Sequence, residues 1–199
     1  MINSPRIHSP RISPKSAKTK TALFEAACHL FAQGGTPSLA QIAEGAGIGR
    51  ATLHRHFSTR EQFLNDMAVW ALKALSEAGE NASYKAKTFE DAFWLIIKAL
   101  IPHGDKYNFL VRENHTLNQL KIKKSMAKSE AEMKSLITHL QETGVLNPAF
   151  TADWINSVVD GLIYAAWEQI QKGDLAPNAA GDLVKQTLLG GFGLNNNPN

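Results

Sequence analysis

From Lys20 to Phe192 apolar residues recur three and four positions apart, and β-branched alternation is absent. Breaks rich in Gly, Pro and Asn separate these segments, so the pattern predicts an all-α chain. A first helix is predicted over 18–33, with Leu23, Ala26, Ala27, Leu30 and Phe31 on one stripe and Gly34 and Gly35 ending it. Ser38 is a good N-cap for a second helix carrying Leu39, Ile42, Ala43 and Ala46, which Gly47 breaks. A third spans 50–57. Ser58 and Glu61 have capping-box spacing and open a fourth over 59–81, with Phe63, Leu64, Met67, Trp70, Ala71 and Leu75 along its inner side. Five more follow: 89–100 bounded by Pro102, a short 106–115, 118–143 ended by Gly144, 152–171 ended by Gly173, and 178–192 after Pro177. Long helices in short connections imply a bundle.

The 199 residues are 44% hydrophobic and 20% charged, which excludes a wholly disordered or fibrous chain and suits one domain, or a small module fused to a larger one. The longest apolar runs, such as 93–97, fall far short of the roughly 18 residues that cross a bilayer. Met1 opens a polar, proline-rich stretch rather than a secretory signal, so no membrane partner is expected. A single cysteine, Cys28, can form neither an internal disulfide nor a cysteine-rich metal site, and a cytoplasmic location follows.

Charge is unevenly placed. The net +3 divides into eight basic against two acidic side chains up to Arg60, and 13 against 16 thereafter. A basic amino-terminal third on a mildly acidic body confines any polyanion-binding surface to one end. Within it, residues 1–18 repeat Ser-Pro-Arg-Ile at 4–7 and 9–12 and continue with Ser13-Pro14-Lys15. Prolines without backbone donors and few large apolar side chains predict a flexible basic arm, either an idle leader or one lying along a DNA groove.

The stretch 39–57 has the composition a helix-turn-helix requires. Two short helices crossing steeply need a small residue at their contact, a turn residue able to take positive φ, and apolar anchors to a third helix. Ala43, Gly47 and the set Ile42, Ile48 and Leu53 supply these. Gly45 and Gly47 do not make a dinucleotide loop, because Arg50 stands where its third glycine belongs and no strand precedes it. Ala26-Ala27, Leu30-Phe31, Gly35, Ile42-Ala43, Ala46-Gly47, Thr52-Leu53 and His56-Phe57 resemble the DNA-binding signature of the tetracycline-repressor-like (TetR) family, almost continuously over 20–64. Over 80–192 only the order and lengths of the helices are similar. His54 stands in place of the family's usual tyrosine and Arg60 in place of its usual lysine; both side chains still donate hydrogen bonds to phosphate.

The resemblance implies a flexible arm over 1–18, a helix-turn-helix DNA-binding domain over 19–64, and a helical effector-binding and dimerisation domain over 65–199. Helix geometry puts Arg50, Ala51, Thr52, His54, Arg55 and His56 on or near the groove-facing side, with Leu53 and Phe57 inward. Arg50 is the expected base contact, since guanidinium to guanine is the commonest specific pairing. Thr52, His54 and Arg55 are expected to mix base and phosphate contacts, or Arg55 to pair with a carboxylate. Ser38 and Arg60, at helix starts, suit phosphate, though Ser38 is equally explained as a cap.

In 154–167 apolar and small residues occupy nearly every side, so the helix is covered on both faces. With Leu183, Val184, Thr187, Leu188 and Phe192 it forms either a wholly internal core or, as the resemblance implies, a homodimer interface of two helices per chain. Val158, Val159, Leu162, Leu183, Thr187 and Leu188 are the expected contacts, and a two-fold dimer calls for a palindromic operator of double-stranded DNA. The resemblance also implies a small-molecule effector pocket, hydrophobic with a few polar anchors, for which Trp94, Ile97, His103, Phe109, His115, Met126, Met133, Tyr164 and Trp167 are candidates, with Asn118 in register nearby. Periodicity alone makes them core residues. No P-loop, nucleophile elbow or paired Cys motif is visible. His54 and His56 project to different helix faces and make poor metal partners. Neither catalytic residues, nor a cofactor, nor a metal is therefore expected. The resemblance implies a transcriptional regulator, most simply a repressor released from its operator by the effector; an effector-independent architectural DNA-binding protein is the alternative.

Overall fold

A computed structural model describes residues 14–113, 117 and 119–193. The basic repeats of 1–13, together with His115 and Asn118, lie outside the described residues. Among the described residues nine α-helices follow one another: α1 (Pro14–Ala32), α2 (Leu39–Gly45), α3 (Arg50–His56), α4 (Arg60–Ser83), α5 (Phe89–Leu100), α6 (Gly104–Arg112), α7 (Leu120–Glu142), α8 (Ala152–Lys172) and α9 (Pro177–Phe192). Among the described residues the only β feature is an isolated antiparallel bridge between Leu146 and Gly193. The all-α expectation holds.

One helix start differs from the sequence reading at a proline. Helix α1 begins at Pro14, so the end of the expected arm is helical. Proline is tolerated in a first turn, where its missing N–H would have had no helical partner. Helix α5 ends at Leu100, as expected of a helix bounded by Pro102, and Pro102 itself lies in a 3-10 turn (Ile101–His103) that runs into α6 at Gly104. The fourth helix also starts at Arg60, one residue later than expected, within the usual uncertainty of helix ends.

The chain forms two compact units, Met1–Arg60 and Glu61–Asn199, divided slightly before the expected 64/65 boundary. In the first, Leu23, Phe24, Ala27, Cys28 and Phe31 of α1 are buried together with Ile42, Ala43, Leu53 and Phe57. In the second, Phe93 and Ile97 of α5, Ile137 and Leu140 of α7, Ile155, Val159 and Ile163 of α8, and Val184 and Leu188 of α9 make one core. Thr88 and Thr151 cap α5 and α8 by accepting the Asp91 and Trp154 amides. Gly173, with φ +82°, closes α8 in the left-handed conformation that favours glycine.

Gly104 sets the distance between α6 and α8. A Cβ there would stand 2.5 Å from Cβ and 2.8 Å from Cγ of Trp167. No real Cβ sits so close, so only glycine lets the two backbones approach this far.

Candidate functional site

The amino-terminal unit presents α3 on a rigid base. Ser38 and Gln41 form a reciprocal capping box: the Ser38 hydroxyl accepts the Gln41 amide at 3.3 Å, and the Gln41 side chain accepts the Ser38 amide at 2.8 Å. Gly47 takes φ +65° in the turn, and the Ile48 amide donates to Ala43 O at 2.8 Å, folding the chain back towards α3. Leu53 and Phe57 then point into the unit, 1% and 0% exposed. The Phe57 ring lies 5.6 Å from that of Phe24, with the Lys20 ammonium 4.8 Å above it.

Anchoring those two residues leaves Arg50, Ala51, His54 and Arg55 exposed and Thr52 and His56 half-buried. The structure thus gathers six of the eight expected DNA-facing residues on one seven-residue helix. Arg55 donates to the Thr52 hydroxyl at 2.9 Å, so its guanidinium is held by a neighbour on the same helix. Ser38 is exposed, but its hydroxyl already serves the cap. Arg60 differs most from expectation: its guanidinium donates to Pro37 O and lies 5.9 Å from the centre of the Phe31 ring. It braces the start of α4 against the residues that precede α2, and its remaining donors alone are open to phosphate.

In the body the expected effector residues separate into two groups. Ile97 is core, and Trp94 and Met133 pack against the same cluster. Trp94 is held on two sides, donating to Glu90 at 3.2 Å and lying under the Lys185 ammonium at 5.0 Å. His103, Phe109, Tyr164 and Trp167 belong to the segment from the 3-10 turn through α6 and to α8, where Phe109 has no exposed surface. Tyr164 and Trp167 stack at 5.8 Å with 27° between their planes. Burial, aided by Lys106 and opposed by Asp105, holds the His103 imidazole below its usual pKa. Met126 is half-buried on α7. A shallow groove of about 330 Å³ runs between α4 and α7, lined by Val69, Leu72 and Ile122 with Lys73, Glu77 and Lys121 at its rim. None of the eight expected pocket residues within the described set borders it.

Two of the expected interface residues need correction. Val159 and Leu188 are 0% and 1% exposed within the single chain, so they are core residues. The helical repeat explains the division: Ile155, Val159 and Ile163 form one stripe of α8 facing the body's own core, while Trp154, Val158 and Leu162 lie on another. On α9, Val184 and Leu188 point inward and Leu183 and Thr187 outward. The outward set includes two large exposed apolar side chains, Trp154 at 56% and Leu183 at 49%.

The sequence reading passed over Tyr107 and Asp160. Asp160 interrupts the apolar run of α8, faces α6 and accepts a hydrogen bond from Tyr107; the Asn156 side chain donates to it at 3.4 Å. Burial pushes its carboxyl up to about 6 against the pull of the Tyr107 hydroxyl, and the Glu130 carboxylate adds to the rise. The Tyr107 phenol is raised in turn, by burial and then by Asp160. The one charge within the apolar stretch 154–167 was the available signal.

Among the described residues no three His, Cys, Asp or Glu side chains are grouped to hold a metal. Nor is any helix there long and apolar enough to cross a membrane.

Residues 23–67 match the family described as bacterial regulatory proteins, tetR family. A curated relative, the HTH-type transcriptional repressor LfrR of Mycolicibacterium smegmatis, is 24% identical over 166 residues, spanning 83% of this chain and 86% of that protein. The solved structure of the TetR-like transcriptional regulator LfrR from Mycobacterium smegmatis in complex with proflavine shares the fold with a TM-score of 0.64 and 22% identity, covering 87% of this chain and 96% of that one. The ketosteroid transcriptional regulator KstR2 of Mycobacterium tuberculosis gives a TM-score of 0.66 at 17% identity, over 92% and 99% of the two chains.

Proposed function

The chain is a transcriptional regulator whose amino-terminal module belongs to the tetR family of bacterial regulatory proteins, and from that premise we propose that it is a homodimeric, cytoplasmic repressor. It binds a palindromic operator through α3 and leaves it when a small molecule occupies the helical body. The single observation that carries the DNA-binding half is the α3 surface: Arg50, Ala51, His54 and Arg55 exposed on a helix whose Leu53 and following Phe57 are locked into the core. A helix presented in this way enters a major groove with its first residues against base edges. Arg50, at the first position, is the base reader; Thr52, His54, Arg55 and His56 divide base and phosphate contacts; Ser38 and Arg60 add phosphate contacts at most through atoms their internal bonds leave open. Ala51 lets the helix approach closely, having no side chain to hold it off.

Selection of bound duplexes from random oligonucleotides tests this directly. The wild type is expected to enrich a palindrome with half-sites about one helical turn apart, or a little more. Arg50→Ala is expected to lose about 1 to 3 kcal/mol of affinity and to relax one position in each half-site. An unchanged motif would remove Arg50 from base reading, and no salt-sensitive duplex binding by the folded protein would remove the function itself.

Dimerisation is assigned to the outward stripes of α8 and α9, with Trp154, Val158, Leu162, Leu183 and Thr187. Exposed Trp154 and Leu183 are large apolar side chains that a second copy would cover. Leu183→Glu is expected to give folded monomers in sedimentation velocity and weakened operator binding. Charged substitution of Val159 or Leu188, by contrast, is expected to unfold the body. A Leu183→Glu dimer as tight as the wild type would place the interface elsewhere.

For the body, release by an effector is supported by family membership and by the relative LfrR, whose structure holds proflavine. An effector shifts operator occupancy only by its differential affinity for the bound and free forms of the protein. That relatives are regulators supports a binding protein over an enzyme.

A further inference from the structure

Two Ser-Pro-Arg-Ile repeats, at 4–7 and 9–12, have no part in reading by α3. They lie outside the described residues, but their chemistry and the point at which the described chain takes over from them are both defined. Before Glu25 there is no acidic side chain, against five basic ones: Arg6, Arg11, Lys15, Lys18 and Lys20. Pro5, Pro10 and Pro14 lack a backbone N–H, and each disfavours helix at the serine before it. A segment of this composition has little to bury against its own unit, so its cations stay available to a polyanion.

The start of α1 sets where the repeats join the unit. α1 buries Leu23, Phe24, Ala27, Cys28 and Phe31, yet Ala17, two turns before Phe24 on the same stripe, is exposed, as are Pro14, Lys15 and Lys18. The first turn of α1 therefore projects past the core to which the helix belongs. Its nearest landmark is the end of α3: Lys20 stands 4.8 Å over the ring of Phe57, the residue that follows α3. Pro14 is only about 9 Å of helix away from Lys20. At about 3.1 Å per residue of extended, proline-rich chain, Arg11 reaches about 9 Å and Arg6 about 25 Å from Pro14. The minor groove beside a major-groove site is half a turn of duplex away, roughly 17 Å, within that reach.

We propose that the Ser-Pro-Arg-Ile repeats are a second DNA-reading element: Arg6 and Arg11 enter the minor groove of A·T-rich DNA flanking each half-site, while α3 occupies the major groove. The chemistry selects both the groove and the base composition. An A·T-rich minor groove is narrow and strongly negative, which attracts arginine. Its floor carries only acceptors, adenine N3 and thymine O2, where a G·C pair inserts the guanine amino group. Ile7 and Ile12, one after each arginine, supply apolar surface against the sugars that wall the groove. Lys15 and Lys18, on the exposed first turn of α1, are left for the phosphates between the two grooves. This rests on the reading of α3 as the operator-binding helix and extends the bound site beyond the palindrome.

Duplexes carrying the selected palindrome with flanks of A·T, G·C or inosine·cytosine pairs separate groove from sequence. Inosine lacks the guanine amino group, so inosine·cytosine presents the minor-groove face of A·T with the major-groove face of G·C. By fluorescence anisotropy the full-length protein is expected to bind A·T and inosine·cytosine flanks alike, and both about tenfold or more tighter than G·C. The double variant Arg6→Ala/Arg11→Ala is expected to bind all three alike while enriching the same palindrome. A chain lacking residues 2–13, which keeps every described residue, is expected to behave as the double variant does. Flank-indifferent binding by the wild type, inosine·cytosine flanks that behave as G·C, or variants that keep the flank preference would overturn the assignment. Arg50→Ala keeps the two readings apart. Palindrome binding that depends on Arg50 but not on the flanks refutes the repeats and supports α3. A flank preference that persists while Arg50→Ala leaves the palindrome unchanged supports the repeats and refutes base reading by Arg50. Folded protein that binds no duplex refutes both.

Discussion

Phe57→Ala is expected to abolish operator binding by melting the amino-terminal unit, at a cost of about 3–5 kcal/mol. Phe57 has no exposed surface, and it follows directly on the last turn of α3. Its ring meets Phe24 and carries Lys20 above it, so truncation leaves a void bounded by α1 and removes the anchor that fixes where α3 ends. The loss is indirect, since the ring itself touches no solvent. Amide hydrogen exchange distinguishes this from a lost DNA contact: exchange is expected to accelerate over residues 19–57 while α5, α8 and α9 keep their protection. A variant that still bound its operator, with α2 and α3 amides as protected as in the wild type, would contradict the anchoring role.

Asp160→Asn is expected to stabilise the ligand-free protein at pH 8 by up to about 3 kcal/mol, the equivalent of moving a carboxyl from its ordinary value to about 6. The sign follows from the direction of the shift. Burial raises the folded-state pKa above the unfolded one, so the favourable contribution is complete below about pH 4, where the group is protonated in both states. It is lost as pH rises through about 6, where the folded protein must hold the charge. The amide keeps an acceptor for the Tyr107 hydroxyl without that charge, and partial solvent access makes the full figure an upper bound. Urea denaturation at pH 4 and pH 8 is expected to show variant and wild type alike at the lower pH and the variant more stable at the higher. A wild type with no fall in stability relative to the variant between pH 4 and 8 would mean that Asp160 is solvated as an ordinary surface carboxylate.

Much of the fold was legible because local rules and tertiary demands agreed. Ser38 reads as a cap and caps; Gly47 reads as a turn residue and takes positive φ; Gly173 reads as a stop and closes α8. Pro14 misled because proline has two permitted places. It is equally at home after a helix or in its first turn, and the chain alone does not say which.

The DNA-facing surface was legible for a related reason. On a seven-residue helix, burying Leu53 and Phe57 leaves little choice about where Arg50, His54 and Arg55 point. Arg60 escaped that logic because its long side chain finds Pro37, 23 residues away in sequence. In the body, α8 is apolar on several sides, so periodicity could not separate Val159, which faces its own core, from Leu162, which is only half-covered.

Short-range pattern therefore determined the helices, their ends, the charged amino-terminal module and its reading surface, since each is a matter of spacing within a few turns. Which α8 stripe turns inward, that Arg60 braces its own unit, and that Asp160 meets Tyr107 rather than a base were decided only when distant segments packed. Burial and pairing are properties of neighbours, and a one-dimensional pattern records which side chains share a face without recording what lies opposite.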